Sequence, residues 1–103
     1  MLILVFSLLI VSGQNNQAEA YRLHVGSLYD GRQVYLLTET LRGSYYNFEC
    51  ETIAVGGYDV LDIHYTFWRS NGTMYYWNSL RGQNKLVSSS NIATNILNYF
   101  RNN

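Results

Sequence analysis

Asp62-Ile63-His64-Tyr65-Thr66-Phe67-Trp68-Arg69-Ser70-Asn71-Gly72-Thr73-Met74-Tyr75-Tyr76-Trp77-Asn78-Ser79-Leu80 is the stretch that decides the fold. Asn71-Gly72 sits between two aromatic, alternating segments, which is the strongest short-range signal for a β-hairpin. A two-residue type I′ turn needs positive φ at both central positions, and Asn-Gly accepts that at low cost. With Asn71 and Gly72 as the loop, Ser70 faces Thr73, Trp68 faces Tyr75, Thr66 faces Trp77 and His64 faces Ser79. The other face pairs Phe67 with Tyr76, Tyr65 with Asn78 and Ile63 with Leu80. Both faces are rich in aromatics, whereas a surface hairpin usually keeps one polar face. The pattern predicts a sheet packed on one side and enclosing or covering something on the other.

Upstream, Tyr45 to Val55 reads as a second strand. Tyr46, Phe48, Cys50 and Thr52 alternate with Glu49, Glu51 and Ile53. Gly56-Gly57 is the turn into the hairpin. Arg32 to Leu41 is predicted as another strand from its Val, Tyr and Thr content, broken by Arg42-Gly43-Ser44. Gln14 to Asp30 is weakly patterned and ends in a turn at Tyr29-Asp30-Gly31. Downstream, Ile92, Ile96, Leu97 and Phe100 recur at helical spacing, and Ser90 or Asn91 suits the N-cap. A short C-terminal helix is expected within Ser88 to Arg101.

The N-terminus is of a different kind. Leu2 to Val11 is apolar apart from Ser7. That run is shorter than the ~20 residues needed to span a bilayer and fits the apolar core of a secretory signal. Residues 1–13 are read as a signal peptide, with cleavage as late as residue 20, where Ala18-Glu19-Ala20 has the A-x-A form. Residues 14–103 then form one small domain, and the protein is expected to be secreted and extracellular.

Composition bounds the chemistry. Seven basic and seven acidic side chains give zero net charge. No basic cluster points to nucleic acid or to an anionic membrane surface. The outstanding feature is aromatic: ten Tyr, four Phe and two Trp among 103 residues, with no proline. His24 and His64 show no metal-ligand spacing, and there is no Gly-rich phosphate loop or G-x-S-x-G. No cofactor, metal or enzymatic activity is expected. Cys50 is the single cysteine. In a secreted chain it implies an intermolecular disulfide or a partner absent from this chain, and a catalytic role beside His64 is far less favoured. Asn71-Gly72-Thr73 is an N-glycosylation acceptor at an expected hairpin tip, compatible with its service as a turn.

Trp68, Tyr75 and Trp77 on one hairpin face, with His64 and Thr66 beside them, have the make-up of a small-ligand wall. A cationic ligand would gain roughly 0.5–2 kcal/mol from each ring face. It would also need a carboxylate, and Glu39, Glu49, Glu51, Asp59 and Asp62 qualify by type. The bland alternative is that these rings are core, where aromatics dominate the energetics.

Several segments fall in a familiar order. Ala20-Tyr21-Arg22 is followed by Gly31-Arg32-Gln33-Val34-Tyr35-Leu36-Leu37-Thr38-Glu39-Thr40, then Phe48-Glu49-Cys50, then Phe67-Trp68-Arg69-Ser70-Asn71-Gly72-Thr73-Met74-Tyr75. Over roughly Ala20 to Gly82 the chain resembles the tick salivary lipocalins, the family that includes histamine-binding proteins. Tyr21 stands where tryptophan is usual, and Thr38-Glu39-Thr40 replaces a basic residue before threonine. The resemblance implies a mainly β fold: an antiparallel meander of about four strands from a lipocalin-type barrel, incomplete against the usual eight, with the short C-terminal helix. It further implies a secreted binder of a biogenic amine such as histamine, or of a lipid mediator, suppressing the host inflammatory response. Trp68, Trp77, Tyr75, His64 and Glu39 would then be the ligand-binding residues, and Cys50 would lack its family partner. The rival expectations are a secreted protein-interaction module and a non-functional fragment.

Overall fold

The computed structural model describes residues 22–57 and 59–103. The expected signal segment and both of its cleavage positions lie outside the described residues. The chain runs β1 (Arg22–Ser27), β2 (Gln33–Leu37), β3 (Arg42–Ser44), β4 (Asn47–Gly56), β5 (Asp59–Ser70), β6 (Thr73–Asn78), β7 (Asn84–Leu86) and α1 (Asn91–Asn102). Every strand pairing is antiparallel, in the order β1-β2-β4-β5-β6-β7, with β3 paired to β4. This sheet of seven strands replaces the expected four. It stays open, because β1 and β7 lie at opposite edges and do not meet, so no barrel closes.

The Asn71-Gly72 hairpin forms as read. Asn71 has φ 52° and Gly72 φ 80°, and the register runs from Ser70↔Thr73 through Trp68↔Tyr75 and Thr66↔Trp77 to Tyr65↔Asn78. The expected Ile63–Leu80 pair does not form. Asn78 turns the chain there: its Oδ1 accepts from the Arg81 N–H at 2.8 Å, and its carbonyl accepts from the Gly82 N–H at 2.8 Å. The strand expected at Arg32–Leu41 also stops early, at Leu37. Thr40 Oγ1 donates to the Leu37 carbonyl at 2.6 Å and accepts from the Glu51 N–H at 2.8 Å. Such threonine side-chain bonds compete with the ladder, and Thr38–Thr40 winds into a 3-10 turn instead.

β4 and β5 form the longest ladder, from Asn47↔Trp68 to Gly56↔Asp59. Period-two alternation puts Phe48, Cys50, Thr52, Ala54, Ile63, Tyr65 and Phe67 on one face, all buried. The Thr52 hydroxyl among them is satisfied, since its Oγ1 donates to the Ile63 carbonyl at 2.9 Å. Helix α1 covers this face. Ile92, Ala93, Ile96 and Leu97 make its buried stripe. Phe100 stacks on Phe48 at 3.9 Å between centroids, and Phe48 stacks on Phe67 at 4.5 Å. Ser90 is the N-cap, accepting from the Ala93 N–H at 3.1 Å.

The helix is seated at an irregularity in β1. His24 pairs with Tyr35 and Gly26 with Val34, so Val25 is an extra residue on its strand. Asn95 Nδ2 donates to the Val25 carbonyl at 2.8 Å. A Cβ on Gly26 would lie 2.7 Å from Ile92 Cγ1, and Gly26 has φ 149°. Only glycine admits both that backbone and that approach. Gly26→Ala should therefore force α1 off the sheet and cost about 1–3 kcal/mol. A urea midpoint lowered at unchanged m-value is the expected reading; an unaltered midpoint would show that the helix does not rest here.

Candidate functional site on the open sheet face

Covering one face of the sheet with α1 leaves the alternate residues on the other face. The register brings Glu51 opposite His64, Glu49 opposite both Arg42 and Thr66, Thr66 opposite Trp77, and Trp68 opposite Tyr75. All but the exposed Arg42 are half-buried. His64, Thr66, Trp68, Tyr75 and Trp77 thus share one surface, as the hairpin predicts. That surface is the open side of the sheet, and the enclosed side is the Tyr65, Phe67 and Tyr76 face. The expectation that the tryptophans look into an enclosed space is corrected accordingly.

A charged row crosses three strands beside the rings. Arg42 Nε lies 3.3 Å from Glu49 Oε2, Glu49 Oε1 lies 3.1 Å from His64 Nε2, and His64 Nδ1 lies 2.6 Å from Glu51 Oε2. Each ring nitrogen faces a carboxylate oxygen. The His64 ring thus bridges the two glutamates. The side chains of Glu49 and Glu51 are 40% and 38% exposed, so water and ligands reach them.

The aromatic wall adjoins this row. Trp68 and Tyr75 lie nearly parallel, 6.1 Å between centroids at an interplanar angle of 16°. A shallow cleft of about 290 Å³ opens at the β3 end, bounded by Arg42, Gly43, Asn47, Phe48, Glu49 and Thr66. Glu39 does not join the site. It lies exposed in the 3-10 turn after β2, off the strands that carry the rings. Glu49 and Glu51, named by type alone in the sequence, are the carboxylates on this face. Asp59 and Asp62 are exposed, and Asp59 lies 3.9 Å from Arg32 Nη2. Among the described residues no group of three or more His, Cys, Asp or Glu side chains converges to hold a metal ion.

Asn71 is exposed at the hairpin tip, where a glycan would meet solvent. Cys50 is 1% exposed and lies under the helix layer. A disulfide from it to another chain requires that layer to open. Burial, then the nearby Glu51 and Glu49 charges, push its thiol from 9.0 to about 12. Tyr65 rises to about 12 as well, chiefly by burial, against a hydrogen bond with the Asn78 side chain that lowers it.

Comparison with protein-family models, with curated proteins and with solved structures returns no match to this chain. Among the described residues no helix is long and apolar enough to cross a membrane.

The Cys50 environment has a measurable consequence. The fold holds this proton more tightly than the unfolded chain does. The resulting stability is complete below the ordinary thiol value and is lost as pH rises from about 9 to 12. Urea midpoints should fall across that window, and Cys50→Val should reduce the fall to the part that Tyr65 contributes between about 10 and 12. At pH 8 the native thiol should resist alkylation and react only on unfolding; prompt labelling of the folded protein would contradict its placement.

Proposed function

We propose that this protein is a secreted small-ligand binder of lipocalin type that captures a biogenic amine, such as histamine, on the open face of its sheet. One observation carries the reading: two carboxylates, Glu49 and Glu51, flank the His64 ring on the face that carries Trp68, Tyr75 and Trp77. The group now between them is the protein's own His64. An ammonium or imidazolium ligand brings N–H donors and a positive charge to the same oxygens. It would replace one His64 N–H at a carboxylate and rest its apolar body on the rings.

The energetics suit small amines. Charge-assisted hydrogen bonds contribute about 1.5–3 kcal/mol each, and the ring faces add roughly 0.5–2 kcal/mol. A lipid mediator would need an enclosed apolar cavity. The cleft on this face is shallow and open, which favours the amine over the lipid. The lipocalin-type assignment is supported by the order of segments from Ala20 to Gly82 and by the antiparallel strand order. Capture of an amine released by a host would suppress an inflammatory response.

Titration of the folded protein with histamine, followed by tryptophan fluorescence, tests this. Saturable quenching is expected. It should weaken about tenfold or more in Glu49→Gln/Glu51→Gln and disappear in Trp68→Ala. Quenching that ignores the carboxylate substitutions, or none at all, would sink the amine reading. Self-association in place of quenching would favour a protein-interaction face.

A further inference from the structure

A second cluster lies at the end of the molecule where three segments meet: the β3–β4 turn, the last residues of β5 and the last turn of α1. Tyr45 and Tyr46 form the turn, edge to face at 4.8 Å between centroids and 52% and 44% exposed. The Arg69 guanidinium lies over the Tyr46 ring at 4.3 Å. The Arg101 guanidinium lies over Tyr45 at 4.5 Å and within reach of Tyr46 at 5.5 Å. Two cations therefore share one pair of rings.

Among the described residues neither arginine takes part in an ion pair. The carboxylates paired in ion bridges are Asp30 and Asp59 with Arg32, Glu49 with Arg42 and His64, and Glu51 with His64. Arg69 and Arg101 take part in none of them. Moreover, Arg101 Nε is buried with no hydrogen-bond partner among the described residues. A buried donor left unmade costs about 1–3 kcal/mol, more for a charged group. Position in the last helical turn accounts for a cation at residue 101. It accounts neither for the second arginine nor for the orphaned N–H.

Ring faces neutralise none of this charge and accept no conventional N–H bond from the guanidinium edges. An anion with several acceptor oxygens would offer both guanidinium groups what the rings do not. Guanidinium forks match the oxygens of phosphate and related oxyanions, often two at a time. The exposed tyrosine rings beside them suit an organic group carried by that anion.

From this we infer that Arg69, Arg101, Tyr45 and Tyr46 form a site for a tetrahedral oxyanion ester, a phosphate or sulfate monoester borne on a flat or apolar group. The site shares no residue with the open-face carboxylates, so it stands or falls independently of amine capture.

The probes are phenyl phosphate, phenyl sulfate, inorganic phosphate and inorganic sulfate, titrated into ¹⁵N-labelled protein while the arginine Nε–H resonances are followed. Saturable shifts of both the Arg69 and Arg101 signals are expected with a phenyl ester, tighter than with the matching inorganic ion. Arg69→Gln should weaken binding about tenfold or more. Tyr46→Leu should reduce the advantage of the ester over the inorganic ion. Tighter phenyl phosphate assigns a phosphate ester, and equal or tighter phenyl sulfate assigns a sulfate ester. Arg101→Lys keeps the helix-end charge and removes the fork, and should weaken the ester further. Should that variant misfold, the exposed Arg69 carries the test alone. No saturable shift with any probe, or binding unchanged in Arg69→Gln, overturns the proposal.

Discussion

The stack of Phe100 on Phe48 on Phe67 fixes which side of the sheet is inside. Each stacked pair is worth about 0.5–1.5 kcal/mol beyond the area it buries. Position matters more than the sum, because the stack ties the far end of α1 to one end of the β4–β5 ladder. The near end is tied by Ile92 against Gly26 and by Asn95 on the Val25 carbonyl. A single helix held at both ends covers a single face. Strand alternation then obliges Glu49, Glu51, His64, Thr66, Trp68, Tyr75 and Trp77 to share the other.

That division explains the mixed character of the hairpin. A ring on the covered face, such as Phe67 or Tyr65, is fully packed. A ring on the open face keeps an edge or surface in water while its neighbours shield the rest. Half-buried rings beside partly hydrated charges are chemically available in a way that core rings are not. The proposed amine site follows from the fold in this sense: the same helix that buries one set of aromatics leaves the other set accessible.

Much of this was legible in the sequence, and the reasons for the failures are specific. Asn71-Gly72 fixes a two-residue turn, and counting outward gives the register as far as Asn78. Phe48, Cys50 and Thr52 alternate cleanly with Glu49 and Glu51 because β4 is central and has one covered face. Ser90 and the Ile92–Phe100 spacing announce α1. Strands β1, β3 and β7 escaped notice because edge strands need no apolar alternation; all three residues of β3 and of β7 are exposed. The covered side was not readable, since the hairpin is aromatic on both faces and the footprint of a helix some twenty residues downstream is a long-range property. Glu51 opposite His64 was nearly within reach. It follows once Gly56 is paired with Asp59, whereas a turn centred on Gly56-Gly57 would set Glu51 against Asp62. Glu39 was misplaced because Thr40 draws its own backbone out of the strand.

The edges of the sheet carry one more implication. An open sheet ends in rows of unpaired amide groups, and such rows recruit other strands. At one border the extra residue Val25 breaks the spacing of β1, and Asn95 occupies the carbonyl there. At the other border β7 is only three residues long and carries Lys85 opposite Tyr76. Among the described residues neither border offers a long flat template to a neighbouring chain. An aromatic-rich sheet that never closes on itself is in this way kept from growing into a fibre, by irregularity on one flank and by brevity and charge on the other.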